Sequence, residues 1–259
     1  MKLYKNKEWL HEQYCVKGKS AGDIGRDSGV GQFTIFNWAK KFGLKRKRPI
    51  LSRPQRRKYK LNENYFEDVS SERVAYWLGF IAADGCVMNR PGKRILSIEL
   101  SEKDESHLLK FKKDMEYTGP LYYKKARIDG GNSSVHLQLC SPKLILDLIK
   151  HGIVERKSLI LEPPLWLRKD LIRHWIRGLF DGDGSVSSVR DGHIRGQFFG
   201  TENVIRFIVK NIPGTKTVTR HKDCNGFYHS FLANKKMYNY LYYQASIYLA
   251  RKEEIFKLV

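Results

Sequence analysis

Two stretches of this chain spell nearly the same helix. Trp77-Leu78-Gly79-Phe80-Ile81-Ala82-Ala83-Asp84-Gly85 is echoed by Ile176-Arg177-Gly178-Leu179-Phe180-Asp181-Gly182-Asp183-Gly184, at a constant offset of 99 residues. Each copy is largely apolar and places small residues four apart, at Gly79/Ala83 and Gly178/Gly182. Positions i and i+4 share a helix face, so each helix carries a stripe with almost no side chain. Two such stripes can pack backbone against backbone. The chain is therefore expected to hold the two helices side by side. Each stretch ends in Asp-Gly, with the glycine expected in the left-handed conformation of a helix C-cap.

The aspartates are unusual in this position. A carboxylate in the last turn sits at the negative end of the helix dipole. Bringing Asp84 and Asp183 together adds like-charge repulsion. One copy alone reads as an ordinary Asp-Gly turn. Two matched copies require a positive partner, and a divalent cation is the simplest.

The paired stretches resemble the signature helices of the LAGLIDADG homing endonucleases, in the form that carries both motifs on one chain. The resemblance implies an α+β fold: a pseudo-twofold, duplicated αββαββα body with two saddle-shaped antiparallel sheets. It implies that the penultimate motif residues, Asp84 and Asp183, bind the catalytic metal, with Ala83 and Gly182 completing the metal-site set. The sixth motif position differs between copies, Ala82 in the first and Asp181 in the second. The metal ligand is the eighth position, so this departure does not argue for inactivity.

A formal charge of +21 and a pI near 9.8 point to a polyanionic partner, most simply nucleic acid. The first 60 residues hold 17 Lys/Arg against 4 Asp/Glu, a net +13, which leaves +8 for the other 199. No stretch joins that charge to a long amphipathic helix, as a membrane-surface protein would. No apolar run reaches membrane-spanning length and no signal-peptide core opens the chain, so an intracellular protein is expected. Cys15, Cys86, Cys140 and Cys224 are scattered and read as free thiols of a reducing compartment. His221, Cys224 and His229 cluster loosely, at a spacing that fits no metal motif.

Residues 6–44 read as three short helices, within a domain expected over residues 1–44. The first holds Trp9, Leu10 and Tyr14. Ser20 caps a second, Ala21 to Asp27, and a Ser28-Gly29 turn leads to a third, from Gln32 to Phe42, that buries Ile35 and Trp38. Two short helices about a glycine turn resemble a helix-turn-helix DNA-binding domain. Gln32, Thr34 and Asn37 then face the bases, and Lys40 and Lys41 the phosphates. Gly25 looks misplaced, since a helix interior prefers alanine.

Residues 45–68 read as a basic linker. Between Lys45 and Lys60 lie nine Lys/Arg, two prolines and no acid. Lys45, Arg46, Lys47, Arg48, Arg53, Arg56 and Arg57 are its expected phosphate contacts.

Residues 69–259 divide into repeats, at about 69–160 and 168–259, each expected as helix-strand-strand-helix-strand-strand-helix. Ser141 and Pro142 open a helix to Lys150. An Asp129-Gly130-Gly131-Asn132 turn joins two strands of the first repeat. Arg156-Lys157 and Arg251-Lys252 follow the last helix of each repeat, offset by 95. In the resembled family a basic residue near this position reaches the cleavage site, so Lys157 and Lys252 are candidates to stabilise phosphoryl charge or orient the attacking water.

Phosphodiester hydrolysis needs charge neutralisation, an in-line water and a stabilised leaving oxygen, which divalent metals supply. Mg²⁺ is expected, with Mn²⁺ as a substitute and Ca²⁺ non-productive, because no His/Cys set selects a softer ion. The resemblance implies a monomer that cuts both strands of a long double-stranded DNA target across the minor groove, leaving short 3′ overhangs, as in intron homing. Lys93, Arg94, Lys124, Lys125, Arg127, Arg195, Gln197, Lys216, Arg220 and Lys222 are candidate strand or hairpin contacts to DNA. An RNA maturase and a non-cleaving DNA-binding regulator remain as rivals. An intein is disfavoured, because residue 1 is Met and the chain lacks a terminal His-Asn.

Overall fold

A computed structural model describes residues 2–45, 58–126, 132–188, 193–214, 216–222 and 225–257. The chain forms two compact units, Met1–Ser52 and Arg53–Val259.

In the first unit, Asn6 accepts from the Trp9 amide to open α1, Lys7–His11, which runs on into a π-helical turn, Glu12–Val16. Ser20 and Asp23 form a reciprocal capping box at the start of α2, Ala21–Asp27. After a turn with Gly29 at a φ of 65° comes α3, Gln32–Lys41. Tyr4, Leu10, Ile24, Ile35 and Ala39 form the core. Trp38, expected in that core, lies at its margin with the Lys41 ammonium 4.7 Å from its ring. Gly25 proves necessary: a Cβ there would strike the Val30 carbonyl oxygen, where the turn folds back on α2. Close approach outweighs the roughly 1 kcal/mol helix penalty of glycine.

The second unit is organised about α4, Glu72–Asp84, and α7, Lys169–Asp183, which contain the two motifs. Their interface is reciprocal. A Cβ added at Gly79 would run into the Trp175 carbonyl and toward the Leu179 amide; one added at Gly178 would meet the Tyr76 carbonyl and the Phe80 amide. Each neighbour in one pair is the other's counterpart at the 99-residue offset. This is how a twofold relation shows itself in packing. Every residue from Ala75 to Ala82 is buried, as befits a helix that is apolar all round.

In the first repeat, α4 leads into β1, Gly85–Arg90, β2, Lys93–Ser101, α5, Glu105–Asp114, β3, Tyr122–Lys124, β4, Ser134–Cys140, and α6, Pro142–Lys150. In the second, α7 leads into β5, Ser185–Ser188, β6, Ile194–Gly200, α8, Glu202–Asn211, β7, Thr219–Arg220, β8, Phe227–Leu232, and α9, Lys235–Leu241. The sheets are antiparallel with matching orders, β1-β2-β4-β3 and β5-β6-β8-β7. The duplicated αββαββα architecture expected from the sequence is the one observed. A further helix not foreseen, α10, Ala250–Lys257, follows α9.

Three expectations change. Gly85 and Gly184 are not left-handed caps. Their φ,ψ values of −76°,134° and −66°,145° send each helix directly into a strand. Glycine is needed instead because a Cβ would strike the Ile81 and Phe180 carbonyls of the preceding turn. The linker also ends sooner. Phe66 is fully buried, the Asn62 amide donates to the Met115 carbonyl at 2.8 Å, and Glu63 bonds Ser141, so the stretch from Lys58 to Asp68 belongs to the second unit. The third strands, expected over Leu121–Arg127 and Thr215–His221, are shorter, at Tyr122–Lys124 and Thr219–Arg220 among the described residues. The 129–132 turn lies largely outside the described residues. Among the described residues, no helix is long and apolar enough to cross a membrane.

Candidate active site

The reciprocal packing of α4 and α7 fixes where the motif aspartates emerge. Asp84 and Asp183 are the last residues of the two helices, Asp84 half-buried and Asp183 open to solvent at its tip. A Cβ added at Gly182 would lie 3.3 Å from an Asp84 carboxylate oxygen, so the missing side chain gives that carboxylate room. Burial, then the charge of Asp183, raises the Asp84 carboxyl to about 6, against the attraction of Lys252, Lys157 and Arg251. Asp183, although more exposed, is also raised, by partial desolvation of its carboxylate, and Lys157 and Lys252 oppose the shift.

The positive partner demanded at these helix ends is supplied in part by the chain itself. The buried Lys157 ammonium donates to the carbonyls of Ala83, at 3.3 Å, and Gly85. The Lys252 ammonium donates to those of Phe180, Asp181, Gly182 and Gly184, at 2.6, 2.8, 3.2 and 2.5 Å. Each lysine thus caps the C-terminal turn of its own motif helix, satisfying carbonyls that a helix leaves unpaired. Burial lowers both ammonium groups, Lys252 to about 8, while the nearby aspartates hold them up. The motif helices, the two carboxylates and the two lysines assemble as one site with two similar halves.

No family model matches the sequence, and no curated protein does. Solved structures do. The meganuclease I-SmaMI bound to uncleavable DNA with a TTGT central four matches with a TM-score of 0.48 at 14% identity, over 73% of this chain and 87% of that one. The LAGLIDADG meganuclease I-AabMI bound to uncleaved DNA matches at 0.46 and 15%, over 70% and 86%. The homing endonuclease I-WcaI bound to its DNA recognition sequence matches at 0.49 and 13%, over 76% and 91%. The chain resembles LAGLIDADG homing endonucleases.

Strand register sorts the remaining candidates. The core face of the first sheet carries Val87, Leu96, Ile98, Leu100, Val135, Leu137 and Leu139. The opposite face is laid out in cross-strand rows: Cys86, Ser97 and Gln138; then Glu99, His136 and Tyr122; then Ser101, Ser134 and Lys124. Tyr122 stacks on His136 with ring centroids 5.1 Å apart. Lys93, Lys124 and Lys125 are exposed, as expected. Arg94 is half-buried, falls on the parity of the core face, and its guanidinium donates to Asn89 at 2.9 Å, across the β1–β2 end.

On the second sheet, Arg195 and Gln197 lie on the open face as expected. Gln197 accepts from Ser185 at 3.3 Å and donates to Ser230 at 2.8 Å, which fixes its amide. Arg220 and Lys222 are exposed. Lys216 is exposed, and its ammonium caps the Val209 and Ile212 carbonyls at the end of α8, both at 2.6 Å. In the first unit, Gln32, Asn37, Lys40, Lys41 and Lys45 are exposed and Thr34 is half-buried. Arg46, Lys47, Arg48, Arg53, Arg56, Arg57 and Arg127 lie outside the described residues.

Sequence reasoning missed His136, Gln138 and Tyr122, whose facing is set by pairing and not by local pattern. It also missed His221, which lines a cavity of about 210 Å³ with Ala82, Ala83 and Asp183. Among the described residues no group of three His, Cys, Asp or Glu is arranged to hold a metal.

Proposed function

We propose that this protein is a metal-dependent endonuclease of the homing type that cuts both strands of a long DNA target as a monomer. The observation that carries this reading is the reciprocal Gly79/Gly178 packing, which brings two carboxylates to adjacent helix ends, each beside its own buried lysine. Two matched half-sites suit two scissile phosphates related by the pseudo-twofold of a duplex.

The donor set fits a hard divalent cation. Asp84 and Asp183 offer carboxylate oxygens whose negative charge is disfavoured by desolvation at both and, at Asp84, by the charge of Asp183 as well. The Ala83 and Gly182 carbonyls accept only long bonds of 3.3 and 3.2 Å from the lysines, so oxygen lone pairs remain available there. Oxygen-only ligation selects Mg²⁺ over softer ions. When bound, such an ion supplies neutralisation of phosphate charge and stabilisation of the leaving oxygen. The chain's own residues do the rest. Asp84 and Asp183 hold the site, Lys157 and Lys252 fix the helix ends and offset carboxylate repulsion, and the open sheet faces position the duplex. Short 3′ overhangs follow from cutting across the minor groove. The first unit adds a second DNA-reading element through α3.

Incubating the protein with a randomised plasmid library and Mg²⁺, then sequencing the ends, tests the reading. Linear products sharing one site with short 3′ overhangs are expected, and Asp84→Asn or Asp183→Asn should abolish them while binding stays within a few-fold. A variant at either aspartate that linearises target at the wild-type rate would refute the site. Ca²⁺ in place of Mg²⁺ should permit binding without turnover. Deleting residues 1–52 should shorten the footprint on one side. It should also lower the slope of log K against log[salt] by about 0.9 for every phosphate the shortened protein no longer neutralises. An unchanged footprint would remove DNA reading from the first unit.

A further inference from the structure

The helix α3 turns both of its phenylalanines outward. Phe33 is 73% and Phe36 53% exposed, while the smaller Ile35 and Ala39 fill the core of the unit. An exposed phenylalanine forgoes the hydrophobic free energy that burial would supply, so folding by itself does not favour this arrangement. The rings lie three residues apart and share a face. Gln32 and Asn37 flank them and Lys40 continues the stripe; all are exposed. No acid lies on α3, and its last turn holds Lys40 and Lys41. The surface is apolar at its centre, amide-bearing at its sides and cationic at its end.

A partner for this face needs apolar groups among hydrogen-bonding edges, within a polyanion that admits a helix. The major groove of A·T-rich DNA meets each requirement. Thymine presents its C5 methyl there, and the paired adenine presents N7 and N6 to an amide. We propose that α3 reads thymine, with Phe33 and Phe36 packing on C5 methyl groups while Gln32 and Asn37 take the adenine edges beside them. This rests on the reading of the first unit as a DNA-binding module, and it names the bases that module selects.

Uracil is thymine without the methyl, which gives a direct test. Duplexes are selected from a random library with the full chain. They are then resynthesised with deoxyuridine for thymidine only in the segment whose protection requires residues 1–52, and affinity is measured in EDTA so that nothing is cut. Selected segments should be rich in A·T pairs. Affinity should fall about fourfold for each contacted methyl removed, the equivalent of one buried carbon. Phe33→Ala with Phe36→Ala should weaken binding by a similar factor on thymine DNA and become indifferent to uracil. Phe→Leu at both positions should retain part of the discrimination. Circular dichroism should be unchanged in both, because the rings are exposed.

Equal affinity of the wild type for thymine and uracil duplexes would overturn the inference. So would a double alanine variant that kept the wild-type thymine preference. Weaker binding by that variant with no response of the wild type to uracil would place the rings on something other than methyl groups, and would equally overturn it. The broader reading fails separately, when deletion of residues 1–52 leaves the footprint unchanged.

Discussion

The hydroxyl of Tyr76 in α4 donates to the carboxylate of Asp181 in α7 at 2.7 Å, joining the two motif helices through a fully buried bond. Asp181 also accepts from the Tyr242 hydroxyl at 2.8 Å and the Leu249 amide at 2.7 Å. Leu249 directly precedes α10, which presents Lys252. One carboxylate therefore sets the position of the lysine that caps its own helix. The first repeat has Ala82 at this position, and its Lys157 rides on a short 3-10 turn after Arg156, at a φ of 58°. The two halves are alike in their aspartates and lysines and unlike in how the lysines are held.

Replacing Asp181 should thus act unevenly. Asp181→Ala leaves the Tyr242 hydroxyl and the Leu249 amide unpaired in the core, while Tyr76 keeps its bond to His107 at 2.9 Å, and should cost about 3–5 kcal/mol in denaturant unfolding. Asp181→Asn, assayed at low temperature where it stays folded, should slow one strand more than the other and let nicked plasmid accumulate. Equal slowing of both strands would limit Asp181 to a structural role.

Gly79→Ala and Gly178→Ala should each be more costly than the roughly 1–3 kcal/mol of ordinary overpacking, because the added carbon meets backbone carbonyl and not a movable side chain. Gly22→Ala, whose nearest neighbour would be 3.6 Å away, should stay within about 0.5 kcal/mol of wild type. Unfolding curves for the three proteins separate close packing from a general intolerance of alanine.

Asp84 carries a prediction with a sign. Its carboxyl is raised from 3.8 to about 6 in the folded protein, so the folded state prefers it protonated. The destabilisation is absent below pH 4, grows as pH rises through 6 and is complete above it. Asp84→Asn should therefore raise the metal-free melting temperature at pH 7, by roughly 2–4 °C if the gain is near 1 kcal/mol, and leave it unchanged near pH 3.5. Mg²⁺ should stabilise the wild type and not the variant. A cation held as proposed would compete with the proton for the carboxylate, so the acid limb of cleavage should move to lower pH as Mg²⁺ rises. Calorimetry across pH, with and without Mg²⁺, checks the stability changes, and cleavage rates across the same range check the acid limb.

The lysines should separate stability from catalysis. Lys252→Met leaves four carbonyls without their cap and Lys157→Met leaves two. The first should be the more destabilising, by about 1.5–3 kcal/mol. Both should slow single-turnover cleavage with little change in DNA affinity. If affinity falls and the rate does not, the lysines act as DNA contacts alone.

The sequence by itself determined the paired helices, their small-residue stripes, the order of strands and helices in each repeat, and the capped helix at Pro142. These are properties of local periodicity and of repetition at a fixed offset, both readable along one dimension. Tertiary structure decided the rest. Gly85 and Gly184 look like left-handed caps until the carbonyls of Ile81 and Phe180 close off any side chain. Gly25 looks misplaced until the Val30 carbonyl occupies the space beside it. His136 and Gln138 join the open face only through the register that sets them opposite Glu99 and Ser97, on a strand nearly forty residues away. Arg94 and Lys216 carry the charge expected of DNA contacts, and the fold places them at a strand end and a helix cap. Charge and periodicity are written residue by residue, whereas facing and close approach depend on neighbours the local sequence does not name.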